Sequence, residues 1–424
     1  MNNEATTPAT QPVFELLKSA ILSGNVPQLV LYVISQALES RASDIHIEPL
    51  ENTVRVRLRV DGVLLPTVEY PTNMHPAVIS RIKIMSNLKI DEQRIPQDGR
   101  TNVTTKDNRE MDLRVSTVPT VNGEKVVMRL QDKSRKIPSL TELGISGNSL
   151  KLIERSLKMP NGIILTSGPT GSGKTTTLYS CLTMLNRPGV NILTIEDPVE
   201  IQMDGLNQSQ VKPDIGYDFA TGLRASLRQD PDIMMVGEIR DKETINAAIE
   251  ASLTGHLVLS TIHTNSAVET LTRIINMGVP AYLISSTVDT IIAQRLVRVL
   301  CPKCKQVHAP DANVSQLVTR AITKISDTEK ANYPNINFAA PTFYKPTGCP
   351  ECNNIGYKGR IGLYEIMPFT GVLKNAVLTG KNTLEIQEIA EAEGMITLEQ
   401  SGVIRALNGE TSLEEVYRVA NINF

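Results

Sequence analysis

Apolar positions along this chain repeat with different periods, and each change of period marks a change of structure. The first twelve residues are polar. Val13, Leu16, Leu17 and Ala20 then keep the i, i+3, i+4, i+7 spacing of one helical face, which Gly24-Asn25 interrupts. Pro27 suits a new first turn, and Val30, Val33, Ile34, Ala37 and Leu38 resume the helical stripe. At Val54 the period falls to two. Val54, Val56, Leu58 and Val60 alternate with Arg55, Arg57 and Arg59, and Asp61-Gly62 supplies a hairpin turn before Val63-Leu64. Residues 111–115 and 126–130 add strand-like pieces. This pattern predicts a tail with a short amphipathic helix (1–25), a small α+β domain (26–131) and an apolar-poor linker (132–138).

From 139 to 300 strands and helices alternate, as in a doubly wound α/β sheet that binds its ligand at the carboxyl ends of the strands. The apolar run Ile163-Ile164-Leu165 leads into Gly168, Pro169, Thr170, Gly171, Ser172, Gly173, Lys174, Thr175 and Thr176, which open a predicted helix. That is a P-loop in a strand–loop–helix setting. Its glycines let backbone N–H groups converge on phosphate oxygens, Lys174 is placed to reach the β- and γ-phosphates, and Thr175 offers a hydroxyl to Mg²⁺. ATP is the predicted ligand.

Hydrolysis also needs groups that hold Mg²⁺ and orient water. Residues 191–195 read as a buried strand ending in Glu196-Asp197-Pro198-Val199-Glu200. Residues 233–236 read as another, ending in Gly237-Glu238-Ile239-Arg240-Asp241, which is Walker-B-like. Glu196 is assigned to positioning or activating the water and Glu238 to Mg²⁺, although sequence does not order the two roles. A third buried strand, 257–262, is bracketed by His256 and His263, whose odd spacing sets them on opposite faces. Each reads either as a hydrogen-bonded core histidine or as a sensor of the γ-phosphate.

Composition narrows the class. Lys and Arg number 43 against 45 Asp and Glu, and only 4% of the 424 residues are aromatic, which disfavours a nucleic-acid surface. No apolar run approaches a membrane span, and the polar N-terminus lacks a signal-peptide pattern, so a cytosolic protein is expected. Four of the five cysteines form two Cys-x-x-Cys pairs, Cys301/Cys304 and Cys349/Cys352, a thiolate set for tetrahedral Zn²⁺ in a closed structural site. The predicted zinc region spans 301–364. Residues 365–424 read as helices with capping boxes at Asn382…Glu385, Thr397…Gln400 and Ser412…Glu415.

The P-loop, Glu196-Asp197-Pro198, Gly237-Glu238 and the two-histidine segment, in this order, resemble the secretion ATPase superfamily, the motors of type II secretion, type IV pili and DNA uptake. Residues 42–49 and 58–62 look like its PAS-like N-terminal domain, and 395–398 and 411–416 like its C-terminal helices. The cysteine pairs favour the pilus-extension and type II secretion branch. The resemblance implies a RecA-like core with an inserted zinc element and C-terminal helices, and arginines that complete the site: Arg114, Arg129, Arg224 and Arg240. It also implies a homohexamer on the cytoplasmic face of the inner membrane, docked to a platform protein and driving filament assembly. Secretion and DNA-uptake systems stay open as alternatives. Arg55, Arg57 and Arg59 are read as a solvated or inter-subunit face. Such motors usually carry a further N-terminal domain. Since only a tail and two predicted helices precede Ala42, the stripe at 13–20 is expected to take over docking. A RecA-like nucleic-acid motor and a non-hydrolysing nucleotide sensor are the rival readings.

Overall fold

In the computed structural model, which describes residues 11–104, 110–132 and 136–420, the period-two stretch is a strand and five others join it. Strands β1 (Asp44–Pro49), β2 (Thr53–Val60), β3 (Val63–Pro71), β4 (Gln97–Thr104), β5 (Glu110–Thr120) and β6 (Gly123–Asp132) form an antiparallel sheet in the order β3-β2-β1-β6-β5-β4. Asp61 and Gly62 both have positive φ, 48° and 87°, as the two central residues of a primed hairpin turn require. The apolar side of this sheet, with Ile45, Ile47, Val54, Val56, Leu113 and Met128, is covered by helices α1 (Gln11–Leu22), α2 (Val26–Glu39) and α3 (His75–Met85). A fully buried ammonium, Lys83, pairs at 2.7 Å with Glu124 and so ties α3 to the β5–β6 hairpin. This first unit ends at Lys136.

Two features differ from the sequence reading. The polar edge strand β4 has no apolar alternation to betray it. More important, α1 is not a docking arm set apart from the domain. Leu17 and Ala20 are buried in the same core as α2 and the sheet, and of the predicted stripe Leu16 alone is left exposed. An amphipathic helix of twelve residues needs a covered face to be stable, and its own domain supplies it.

The second unit begins at Ile137. Its chain runs α4 (Gly147–Ser156), β7 (Gly162–Ser167), α5 (Lys174–Leu185), β8 (Ile192–Glu196), β9 (Asn207–Gln210), α6 (Phe219–Ser226), β10 (Ile233–Val236), α7 (Lys242–Leu253), β11 (Leu257–Ile262), α8 (Ala267–Asn276), α9 (Ala281–Thr287) and β12 (Val288–Leu300). An excursion follows with β13 (Gln306–His308), α10 (Ala312–Lys324), α11 (Asp327–Lys330) and β14 (Phe343–Lys345). Then come β15 (Tyr357–Pro368), α12 (Gly371–Leu378), α13 (Thr383–Ala392), α14 (Leu398–Leu407) and α15 (Leu413–Ala420).

The main sheet has the order β15-β12-β7-β11-β10-β8-β9, parallel except for the edge strand β15, with an apolar core on each face. Because β15 belongs to this sheet, the predicted boundary at 364 falls inside a strand. The excursion packs its own small core, Val318, Ala321, Ile322 and Phe343, on α14 and α15. Two predicted capping boxes are present at Asn382 and Thr397. The third is half formed: Ser412 Oγ accepts the Glu415 N–H, but the Glu415 carboxylate is taken by Arg298 and Arg418. No helix among the described residues is long and apolar enough to cross a membrane.

Since Leu17 is fully buried, Leu17→Ala should destabilise the protein by about 2–5 kcal/mol, read from a chemical denaturation curve. An unchanged curve would mean that α1 does not pack where it is described.

Candidate functional site

Parallel pairing brings the ends of four strands to one edge. Ser167 of β7 lies opposite Ile262 of β11, and Val236 of β10 lies opposite both Ser260 of β11 and Ile195 of β8. The P-loop, His263, Glu238 and Glu196 all follow from, or end, these strands. The site therefore sits at the carboxyl edge, where β12 flanks β7 on one side and β11 on the other.

The loop's shape rests on three left-handed glycines, Gly168, Gly171 and Gly173. A Cβ on Gly168 would meet the Gln294 carbonyl oxygen at 2.7 Å, so no side chain fits there. Gly173 caps α5 without any side-chain acceptor, which leaves the first-turn N–H groups of that helix to an external anion. Lys174 Nζ donates to the carbonyls of Gly168 (2.7 Å) and Pro169 (3.2 Å). Burial pushes its pKa down to about 8 against the pull of Glu238, with Arg295 adding to the fall. A dehydrated ammonium at the base of a glycine nest suits a polyphosphate, which restores the lost electrostatic partner. Ser172 Oγ, buried at the same place, has no protein partner. Thr175 is half-buried in the first helical turn.

The two glutamates are held differently. Glu196 is 2% exposed, and its carboxylate accepts from Tyr179 (2.5 Å), Thr194 (2.6 Å) and Gln208 (3.1 Å). Burial and this carboxylate raise the Tyr179 pKa, so the phenol stays a donor. Glu196 thus has three internal donors and is almost wholly buried. Glu238 stands at the open edge. One oxygen faces His263 Nε2 at 3.3 Å and the other accepts from Arg240. Thr261 Oγ1 donates to the Gly237 carbonyl at 2.7 Å and Ile239 N–H to the Thr261 carbonyl, which fixes the turn that carries Glu238. Burial lowers the His263 pKa and the nearby Lys174 charge adds to this, while Glu238 opposes. Together these favour the neutral imidazole.

His256 is not brought to the loop. It precedes β11 at the amino end of the strand, and its Nδ1 contacts the Ala251 carbonyl and Thr254. The two histidines occupy opposite ends of one strand, which the sequence reading allowed, but only one reaches the site. Arg224 is exposed in the last turn of α6, and no hydrogen bond or ion pair among the described residues ties its side chain to the loop. Sequence reasoning missed Gln294, whose Nε2 donates to the Ser172 carbonyl at 2.6 Å, and Tyr179, which is held to Glu196. Neither has a local signature.

In the first unit the predicted arginines form part of a cross-strand row on the polar face: Arg59 opposite Asp44, Asp44 opposite Arg129, Arg129 opposite Arg114, and Arg114 opposite Arg100. Asp44 pairs with Arg129 at 3.0 Å and Arg59 at 3.6 Å. Asp44, Asp98, Arg100, Arg114 and Arg129 line a cleft of about 460 Å³. Arg55 and Arg57 are not a free solvated row. Both bind Glu48. Burial works against ionisation of Glu48, yet hydrogen bonds from Arg57 and Lys125 hold its carboxyl at about 2.

The cysteines converge as well. Among the described residues Cys301, Cys304, Cys349 and Cys352 place their Sγ atoms within 4.8 Å of one another. Three separations are 3.8, 3.8 and 3.7 Å. A tetrahedron with Zn–S bonds of about 2.3 Å has edges of about 3.8 Å, whereas a disulfide would need about 2.05 Å. The N–H groups of Cys349 and Gly356 each lie 3.2 Å from Cys352 Sγ, as befits a thiolate. The donor set fits zinc. Cys181 stays apart, fully buried on α5, with burial pushing its thiol up to about 12.

Residues 21–418 match the family described as Type II/IV secretion system protein. The chain is 45% identical over 413 residues to the Type IV pilus assembly ATPase PilB of Myxococcus xanthus, covering 97% of this chain and 71% of that protein. It is also 45% identical over 392 residues to the Type II secretion system protein E of Pseudomonas aeruginosa, covering 92% and 75%. The X-ray structure of the Legionella pneumophila ATPase DotB aligns with a TM-score of 0.65 at 21% identity, over 93% of this chain and 96% of that one, a likeness of fold.

Metal analysis of the purified chain should return about one zinc per polypeptide. Cys301→Ser should lower the melting temperature and the zinc content while nucleotide binding persists in the folded fraction. Four titratable thiols and no zinc in the native protein would refute the site.

Proposed function

Because the chain belongs to the Type II/IV secretion system protein family, and its relatives are named ATPases, we propose that it is a motor that spends ATP on assembling a type IV pilus, with type II secretion as the second reading. The observation that carries the chemistry is the meeting of Lys174, Glu238 and His263 on one sheet edge. Both systems have relatives at 45% identity, so identity does not rank them.

Phosphoryl transfer to water asks the protein for position and charge rather than for covalent help. The P-loop amides and Lys174 hold the β- and γ-phosphates. Thr175 is the residue that would hold Mg²⁺, which when bound neutralises phosphate oxygens. In this proposal the water role passes from Glu196 to Glu238. Glu238, at the open edge, orients the attacking water and accepts its proton as the bond from the γ-phosphorus to the leaving ADP oxygen breaks. Neutral His263 holds the Glu238 carboxylate and lies beside the phosphate, and Arg240 fixes its other oxygen. Glu196 is a positioning group that keeps Tyr179, and through it α5, in place.

The arginine row of the first unit is the natural source of further charge. Arg114 and Arg129 would approach the phosphates when subunits assemble as a homohexamer, linking nucleotide state to a movable domain. Docking on a platform protein at the cytoplasmic face of the inner membrane completes this reading, and the zinc ties down the excursion rather than taking part in hydrolysis.

Glu238→Gln should keep nucleotide binding but lower the hydrolysis rate by roughly 10²–10⁴, the usual loss when a general base is removed. Glu196→Gln should cost hydrolysis far less and show mainly as reduced stability. The reverse ranking in a steady-state phosphate-release assay would restore the first assignment.

Arg129→Ala should reduce turnover much more than nucleotide affinity, and only under conditions in which the protein forms rings by light scattering. Equal losses in both would make Arg129 a simple binding group, and no loss would make it a partner of Asp44 alone.

A further inference from the structure

We propose that Glu365, which lies outside every nucleotide-binding motif, is a positioning residue for hydrolysis: it clamps the first residues of α8 and α14 and so fixes the short loop that presents His263 to Glu238. The inference rests on the reading of Glu238 and His263 given above. Glu365 sits on β15 opposite Ala293 and is 3% exposed. Its Oε1 accepts the Ala267 N–H at 2.7 Å and its Oε2 accepts the Leu398 N–H at 3.3 Å. These are the first N–H groups of two different helices. The caps Ser266 and Thr397 serve the third-residue amides of Glu269 and Gln400 and leave those first donors open. One carboxyl group thus accepts from two helix N–H groups and faces the positive ends of two helix dipoles; these and Arg295 favour its ionised form, against the burial that pushes its pKa up.

The same loop is held from its other side. Arg295, 6% exposed, donates from Nη2 to both the carbonyl and the Oδ1 of Asn265, each at 3.1 Å. Its neighbour Gln294 holds the P-loop through Ser172. Adjacent residues of β12 therefore set the positions of both loops around the phosphate. Between the end of β11 and Ala267 lie only His263, Thr264, Asn265 and Ser266, pinned at Asn265 by Arg295 and at Ala267 by Glu365. His263 has little freedom left, which is what a side chain that must meet Glu238 requires. The clamp has a second consequence: α14 packs Val403, Ala406 and Leu407 in the small core with α10 of the excursion, so the C-terminal helices and the His263 loop share one anchor.

A glutamine cannot replace this glutamate. Its amide offers one accepting oxygen and one donating nitrogen, so one of the two helix N–H groups would face another donor, and the charge opposite Arg295 would be lost. A group that merely stabilises the fold would, when changed, lower the amount of native protein without altering turnover per folded molecule. The experiment separates these cases.

In the full chain, Glu365→Gln should lower kcat on the order of 10- to 100-fold, with the dissociation constant of a fluorescent ATP analogue unchanged within about twofold. Asn265→Ala, at an exposed position that does not threaten folding, should lower kcat in the same way by a smaller factor. In a His263→Ala background, itself reduced in kcat, either change should cost less than about twofold more, because the geometry it protects is already gone. Parent-like kcat in Glu365→Gln and Asn265→Ala, or losses that multiply with that of His263→Ala, would overturn the proposal while leaving the reading of the site intact. If Glu365→Gln does not fold, Glu365→Asp, which keeps the charge but draws it back from both helix N–H groups, takes its place in the same comparison. Parent-like kcat in His263→Ala would instead sink the reading of His263, and the inference with it.

Discussion

The register of β7 with its two neighbours is the constraint on which the site depends. Ser167 stands level with Ile262 on one side and with Ala293 on the other. The residues that follow each of these are Gly168, His263 and Gln294. A slip of one residue in either pairing would turn a whole strand over, exchanging its two buried faces, so the packing of both cores enforces the alignment. The same pairing places the glutamates. Ile195 is level with Val236, so Glu196 ends β8 beside the turn after β10 that carries Glu238. Glu196 binds Tyr179 of α5, and Glu238 faces His263.

Gathering these groups sets a balance of charge. Lys174 loses hydration when buried, and only Glu238 among its charged neighbours offsets the loss. Such a site favours whatever brings negative charge into the nest, and a triphosphate does so with oxygens that the P-loop amides can also bind. The first unit solves a related problem differently. Its polar face pairs Arg55, Arg57 and Lys125 with Glu48, while Asp44 binds Arg129 and Arg59. Alternation of arginines in the sequence announces charge on one face but not which of them are already paired.

What was legible in the sequence had local causes. The P-loop, the Asp-Gly hairpin, the Asn382 and Thr397 capping boxes and the paired cysteines each rest on residues a few positions apart, whose spacing is itself the mechanism. What was not legible depended on distant partners. Whether Glu196 or Glu238 is free turns on Thr194, Gln208 and Tyr179. Whether the stripe at 13–20 is a docking face turns on α2 and on a sheet whose strands run from Asp44 to Asp132. The Ser412…Glu415 spacing is that of a capping box, but a buried carboxylate prefers two guanidiniums to one N–H, and Arg298 comes from a strand more than a hundred residues earlier. Helix α10 lies among polar residues whose one apolar stripe finds its partner only on α14.

The cysteine cluster gains a specific meaning from where its four thiols fall. Cys301 immediately follows β12, the strand that carries Gln294 and Arg295, and Cys352 lies just before β15, the strand that carries Glu365. The two strands pair antiparallel from Thr290 opposite Pro368 to Leu300 opposite Tyr357. The metal would staple this ribbon at the end away from the P-loop, closing a loop of 48 residues between Cys301 and Cys349. Closing such a loop restricts the unfolded chain by about 4 kcal/mol on the chain-entropy account. The ribbon is further held beside the cluster, where Arg298 lies 4.1 Å over the Tyr357 ring and binds the fully buried Glu415 of α15. An edge strand with no neighbour beyond it is the weakest member of a sheet. Here that strand carries the carboxyl group on which two helices rest, so a metal held at its start would protect the placement of the His263 loop.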